Sequence, residues 1–245
     1  MDAYEKYAFQ EMQVWQEQMK KPASLVNKLT GKVQKKINNV IPEKLHKAIT
    51  VAIKQMTKTV LLGAEITTQR NGISPHPSLQ DRENKVQERI RIHSNTAAAE
   101  GALTGAGGIL LGLADFPLWL AIKIKLLFEI AAAYGYDTSD YKERLYILHI
   151  FQVTFSNPQN RRAAYNTLEN WDRNRQDLPK NIDEFDWRTF QQDYRDYIDI
   201  PKLLQLVPGI GAAVGAYINH RLTKKLGATA MNAYRMRWKS KQLSA

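Results

Sequence analysis

The chain has 245 residues, with 35 lysines and arginines against 24 acidic residues, which gives a formal charge of +11. Hydrophobic residues make up 44 % of it and the mean hydropathy is −0.45, so a disordered tail and a polytopic membrane protein are both excluded. The absence of cysteine excludes disulfide frameworks, cysteine-ligated metal sites and thiol catalysis. Residues 1–20 have no apolar signal-peptide core, so we expect an intracellular protein.

The excess positive charge lies at the two ends of the chain. Residues 1–60 have a net charge of +6, and the last 45 residues have eight basic side chains and no acidic one. A one-sided run of charge usually faces an anionic partner, and a solvated lysine-rich face is the alternative.

The first 60 residues predict three short amphipathic helices. The first has one apolar face, formed by Tyr4, Ala8, Met12, Trp15 and Met19. Between residues 20 and 58 there are ten lysines and one acidic residue, Glu43. Two prolines and a glycine predict a loop over residues 70–81. We therefore expect a basic amphipathic helical arm over 1–70 and a helical core over 83–245, within a single domain.

A glycine-rich block follows the next predicted helix. Five of the thirteen glycines lie within residues 101–112, GALTGAGGILLG. In an exposed helix each would cost about 1 kcal/mol relative to alanine. Either the segment is not one helix, or it packs closely against another backbone, as the spacing of Ala97, Gly101 and Gly105 favours. A second block, VPGIGAAVG, contains Gly211 and Gly215. We predict two Gly/Ala-rich helical hairpins, around 97–134 and 203–238, that either pack as a buried core or lie at a membrane interface.

Residues near position 115 predict the start of a helix. Asp115 would be its N-cap and Pro117 would lie in its first turn, and Gly135 would end it in the left-handed conformation. Asp140 and Glu143 resemble a capping box that opens another helix, with a strand as the alternative.

The last predicted helix has an apolar side chain at almost every fourth residue from Ile210 to Trp238. No alternating pattern of a sheet and no repeat of fixed length is present. The fold class predicted for the chain is therefore all-α.

Three segments are similar to a known family. The segment TAAAEGALTGAGGILLGLADFPLWLAIKIKLLFEIAAAYGYD resembles the signature block of the EcsC family. VPGIGAAVGAYINHRLTKKLGATAMNAYR resembles its C-terminal counterpart, and YEKYAFQEMQVW resembles the start of the family. The resemblance covers nearly the whole chain. It implies a bacterial, intracellular protein associated with an ABC transporter, and it implies no particular reaction.

Motifs for catalysis and cofactors are absent from the sequence. There is no Walker A motif, complete dinucleotide fingerprint, HExxH or GxSxG. We expect no metal and no cofactor. An enzyme remains an alternative, with a polar pocket near Asp115 and His149. The competing interpretation makes Asp115 a helix cap, pairs Glu129 with Lys125 and places His149 in the core.

Charge and resemblance together predict a cytoplasmic protein peripheral to the membrane and accessory to an ABC transporter. It would bind an anionic lipid surface or a membrane transporter component. Nucleic acid is not expected, because residues 20–60 have no arginine and no aromatic residue. The candidate binding residues are Lys28, Lys32, Lys35, Lys36, Lys54, Lys58, Arg221, Lys224 and Lys225. The candidate structural residues are Asp115, Pro117, Gly135, Gly211 and Gly215.

Overall fold

The structure is a computed structural model that describes residues 1–21, 51, 54–55, 57–60, 77–114, 116–156, 158–174, 178 and 211–244. For residues 104–114, 116, 158–159, 211 and 243–244 it describes the backbone alone. Throughout these ranges the regular structure is helical and no strand occurs, which confirms the all-α prediction. The helices are α1 (Ala3–Lys20), α2 (Leu79–Ala114), α3 (Phe116–Ala133), α4 (Tyr141–Phe155), α5 (Pro158–Glu169) and α6 (Gly211–Ser244).

Helix α1 begins with a reciprocal cap. The side chain of Asp2 accepts a hydrogen bond from the backbone N–H of Glu5, and the Glu5 side chain accepts one from the Asp2 N–H. Ala8, Phe9 and Met12 on its inner face are buried in the main core. The N-terminal helix is therefore an integral part of the packed domain.

Helix α2 begins earlier than the sequence predicts and includes the glycine-rich block. It begins at Leu79, so the last residues of the predicted loop are helical, and Asp81 lies in its first turn. The backbone N–H of Ser78 donates to Asp81 Oδ2 at 3.0 Å, and the Asp81 N–H donates to Ser78 Oγ. The helix then continues for 36 residues, through all five glycines of the block. The glycine-rich segment is one helix.

The long helices α2 and α6 pack against each other in opposite directions. Successive contacts join Glu83 to Arg235, Ile90 to Gly227 and Gly101 to Gly215. At the last of these, a Cβ atom on Gly101 would overlap the carbonyl oxygen of Gly215. Glycine is needed there because the two backbones approach more closely than any side chain allows.

Helix α3 ends at a glycine. Gly135 has a φ of +85°, in the left-handed region, and its N–H donates to the Ala132 carbonyl at 2.9 Å. The N–H of Tyr136 donates to the Ala131 carbonyl at 3.0 Å. These two bonds form a Schellman motif, which satisfies the last carbonyls of the helix.

The segment with an alternative strand prediction is helical. Helix α4 covers it from Tyr141 to Phe155, as the main prediction has it, and the strand alternative is wrong. Asp140 caps it by accepting from the N–H of Lys142 at 2.9 Å. Glu143 does not complete a capping box, because its carboxylate is bonded to Tyr234 and Arg237 of α6.

One apolar core joins the helices. Leu226, Ala230 and Tyr234 of α6 are fully buried, as the i+4 pattern of the sequence predicts. Val60, in a helical stretch over residues 57–60, is part of the same core. The largest fully buried side chains are Trp119, Trp171, Tyr146, Tyr165, Tyr234, Lys123, Phe151, Phe155 and Leu79.

Candidate functional site

A chain of buried hydrogen bonds joins α2, α3 and α6 at the glycine contact. Asn219 Nδ2 donates to Glu100 Oε2 at 2.5 Å, and Trp119 Nε1 donates to Asn219 Oδ1 at 2.9 Å. The Nζ of Lys123 lies 3.9 Å from the centroid of the Trp119 ring, and this lysine has no exposed surface. The carboxylate of Glu100, next to Gly101, and the ammonium group of Lys123, one turn after Trp119, are thus held in the interior. Buried charges of this kind are uncommon unless they are paired or functional.

Three large apolar side chains near these hydrogen bonds face solvent. Leu103 is 76 % exposed, Leu118 is 53 % exposed and Tyr217 is 63 % exposed. Each lies within one helical turn of Glu100, Trp119 or Asn219, so the hydrogen bonds among those three residues hold them at a similar level of the three helices. We call Leu103, Leu118 and Tyr217 the apolar tip.

Cationic side chains lie next to the apolar tip. Arg221 and Lys224 are exposed and share a face of α6 with Tyr217, four and seven residues after it. Lys225 is partly buried, and its Nζ donates to the Thr154 carbonyl at 2.6 Å. Of the predicted binding residues on α6, the structure therefore leaves Arg221 and Lys224 open to an external partner.

The predicted lysines of the N-terminal arm are described only in part. Lys54 and Lys58 are exposed and helical, while Thr57 and Val60 of the same stretch are buried. Four further predicted lysines lie outside the described residues: Lys28, Lys32, Lys35 and Lys36.

The predicted structural residues have distinct positions. Pro117 is exposed in the first turn of α3, Gly211 is the first residue of α6, and Gly215 is buried against α2. Gly135 has the positive φ expected of a glycine that ends a helix. Asp115 lies outside the described residues.

Two buried arginine–glutamate pairs, which the sequence analysis did not anticipate, join α6 to other helices. Arg235 donates from Nε and Nη2 to the two oxygens of Glu83 at 2.7 and 2.6 Å. Arg237 Nη1 donates to Glu143 Oε2 at 2.6 Å. Burial lowers the pKa of Arg235, but the carboxylate of Glu83 beside it raises that pKa further, to above its ordinary value. These pairs fix the register of α6. The signal for them was present in the sequence, because Glu83 falls on the apolar face of its helix.

The acidic and histidine residues considered for catalysis are paired with other groups. Glu129 Oε2 lies 2.9 Å from His93 Nε2 and 3.7 Å from Arg89 Nε, and the charge of Lys125 acts on it as well. Burial raises the pKa of Glu129, but the hydrogen bond and charge of His93 lower it more, so the net change is downward.

His149 Nδ1 lies 3.0 Å from Gln152 Oε1, and its ring packs edge-on against Trp171. Burial lowers the pKa of His149 to about 4, so this side chain is neutral at pH 7. Within the described ranges, no group of three or more acidic or histidine side chains could hold a metal ion.

Among the residues that the structure describes, no helix is both long enough and apolar enough to cross a bilayer.

Comparison with known proteins places the chain in a family. The EcsC protein family matches residues 6–238. Protein EcsC of Bacillus subtilis (strain 168) is 40 % identical over 228 residues, which cover 93 % of each chain. A second protein of that strain, named "Uncharacterized protein YdbA", is 30 % identical, over 93 % of this chain and 86 % of its own. No solved structure matches the chain significantly. Because the family match and the 40 % identity extend over nearly the entire sequence, the chain belongs to the EcsC protein family.

Proposed function

We propose that the protein is a peripheral membrane protein that binds the anionic surface of a bilayer through its apolar tip and the cations beside it. The observation that carries the proposal is the position of Arg221 and Lys224 on the exposed face of α6 that also bears Tyr217. Large exposed apolar side chains grouped in one region of a folded domain are typical of an interaction site.

The spacing of these side chains matches the depth of a membrane interface. At 1.5 Å per residue, Arg221 and Lys224 lie about 6 and 10 Å behind Tyr217 along the helix axis. Apolar faces of interfacial helices are buried about 5–10 Å below the headgroups. With α6 inclined to the surface and Tyr217 at the acyl boundary, both cations would therefore lie nearer the phosphates than Tyr217 does.

The lysine-rich arm would add attraction of longer range. Lys54 and Lys58 are exposed, and the segment around them is strongly basic. Each lysine near an anionic leaflet contributes about 1 kcal/mol, and this contribution decreases with salt. The net charge of +11 supports the same orientation toward an anionic surface.

The association with an ABC transporter that the family resemblance implies fits this placement. A transporter lies in the membrane, so a protein held at the same surface would meet it there. The membrane itself is the partner that we propose, since the apolar tip has the length scale of an interface.

Co-sedimentation with vesicles tests the proposal. We compare wild type with a double variant, Arg221→Glu and Lys224→Glu, on vesicles of neutral lipid and of 30 % anionic lipid. Removing two cations alone costs about 2 kcal/mol, which is about thirtyfold in the partition coefficient. Charge reversal should weaken binding at least that much. The charge-matched control is Lys6→Glu with Arg162→Glu, because both residues are exposed on other helices.

The outcomes separate the candidate partners. We expect anionic vesicles to bind the wild type, high salt to weaken that binding, and the control double variant to bind about as well as the wild type. Equal loss in the two double variants would mean that net charge alone acts, without a defined surface. If the wild type binds no vesicle, the proposal is wrong. A membrane-protein partner or the enzyme alternative would then be favoured.

A further inference from the structure

A second cluster of cations lies at the opposite end of α6, about 30 Å from Tyr217. It surrounds the ring of Tyr136, in the turn after α3. The guanidinium carbon of Arg237 lies 3.8 Å from the centroid of this ring, and Lys241 Nζ lies 4.3 Å from it. Arg82 of α2 reaches the same turn and donates from Nη1 to the Ala133 carbonyl at 2.8 Å.

Three buried polar atoms of this cluster have no hydrogen-bond partner. They are the hydroxyl oxygen of Tyr136, Nε of Arg82 and Nε of Arg237. Tyr136 is only 8 % exposed and Arg237 only 7 %. A buried donor that is left unpaired is costly, so three of them in one place are unusual for a folded protein.

The acidic groups nearby do not neutralise the cluster. Both oxygens of Glu143 are engaged, one by the hydroxyl of Tyr234 and the other by Nη1 of Arg237. Asp172 is half exposed, and its Oδ1 lies 3.8 Å from Arg237 Nε, beyond hydrogen-bond distance. Burial, and then the positive charge of Arg237, lower the pKa of Lys241. Glu143 holds the pKa of Arg237 above its ordinary value in spite of burial. Three cations, Arg82, Arg237 and Lys241, nevertheless face two carboxylates, so one positive charge is left over.

We propose that the side chains of Arg82, Tyr136, Arg237 and Lys241 form a binding site for a phosphate group. A phosphate group is anionic at neutral pH, and its tetrahedral shape presents acceptor oxygens in several directions. The hydroxyl of Tyr136, the free arginine nitrogens and Lys241 Nζ come from two helices and a turn, so they approach from different sides. This suits a tetrahedral oxyanion better than a planar carboxylate. The proposal is independent of membrane binding by the apolar tip.

Titration calorimetry of the full chain with inorganic phosphate tests this site, with chloride at equal ionic strength as the reference. We expect saturable binding that Lys241→Gln weakens about tenfold, because one charge-assisted hydrogen bond is lost. Lys239→Gln is the matched control: it removes the same charge from the same helix, but its Nζ lies over the ring of Phe9, at 5.6 Å. The control should bind phosphate as the wild type does.

A second variant tests the buried hydroxyl. Tyr136→Phe keeps the ring under Arg237 and removes an oxygen that has no partner, so we expect it to fold and to bind phosphate more weakly. Acetate at the same ionic strength should bind more weakly than phosphate. The proposal is wrong if phosphate gives no saturable heat, if Lys239→Gln weakens binding as much as Lys241→Gln, or if acetate binds more tightly. Arg221→Glu with Lys224→Glu should leave phosphate binding unchanged, which separates this site from the apolar tip.

Discussion

Replacing Gly101 by alanine tests the close packing of α2 against α6. In a solvated helix this change would stabilise the fold by about 1 kcal/mol. Here the new methyl group would overlap the carbonyl oxygen of Gly215 and lie 2.6 Å from Asn219 Nδ2. A backbone carbonyl cannot rotate away, so the two helices must separate, and overpacking of this kind costs about 1–3 kcal/mol. We therefore expect the free energy of unfolding to fall by about 1–2 kcal/mol.

Urea unfolding followed by circular dichroism at 222 nm measures this change. In a thermal melt, the melting temperature should fall by about 2–4 °C for each kcal/mol of stability that is lost. A Gly101→Ala protein as stable as the wild type, or more stable, would refute the close approach of the two backbones.

A matched substitution at Gly227 provides the control. A methyl group there would collide with the side chain of Ile90, with Cδ1 at 2.6 Å, and not with a backbone. Truncation by Ile90→Ala should therefore restore part of the stability that Gly227→Ala loses, and a double-mutant cycle measures this coupling. Asn219→Ala should not rescue Gly101→Ala in the same way, because the Gly215 carbonyl remains in place.

Three further predictions concern titratable side chains in the interior or at its edge. Arg235→Met should lower the free energy of unfolding by about 3–5 kcal/mol, measured by urea titration, because Glu83 is left charged and unpaired. Glu129→Gln should destabilise at pH 7, and its difference from wild type should vanish as the pH falls through the lowered pKa of Glu129, below 4.5; a constant difference would contradict the pairing with His93. The pKa of His149 is lower in the folded chain than in the unfolded chain, so between pH 6.5 and about 4 only the unfolded chain binds a proton at this side chain. The wild type should therefore lose stability as the pH falls through that range. His149→Gln should lack that component in thermal melts across this range.

Local pattern predicted most of the helices. The i+4 ladder of α6 and the apolar face of α1 were readable from the sequence, because amphipathic periodicity reports which side of a helix is buried. The end of α3 at Gly135 was equally readable from local chemistry. Each of these features depends on residues within one or two turns of each other.

The features that the sequence did not reveal depend on partners far along the chain. The glycine block gave no local reason to favour one unbroken helix, since Gly215, which accounts for Gly101, is 114 residues away. Glu143 looked like part of a capping box, yet a distant arginine, Arg237, takes its carboxylate. Glu129 had a plausible partner one turn away, Lys125, but its hydrogen bond is to His93 of another helix. A local pattern cannot rank a near partner against a distant one.

The pairing of α2 with α6 has a consequence for how the chain is made. Glu83 and Arg235 are 152 residues apart, and Glu5 and Trp238, which are also hydrogen-bonded, are 233 apart. Contact order is therefore high for a helical protein, and folding should be slow for its class. At 5–20 residues per second, a ribosome needs about 6–23 s to go from Gly101 to its contact Gly215. Throughout that interval the glycine face of α2 has no partner, so we expect the nascent chain to depend on a holding chaperone until α6 emerges.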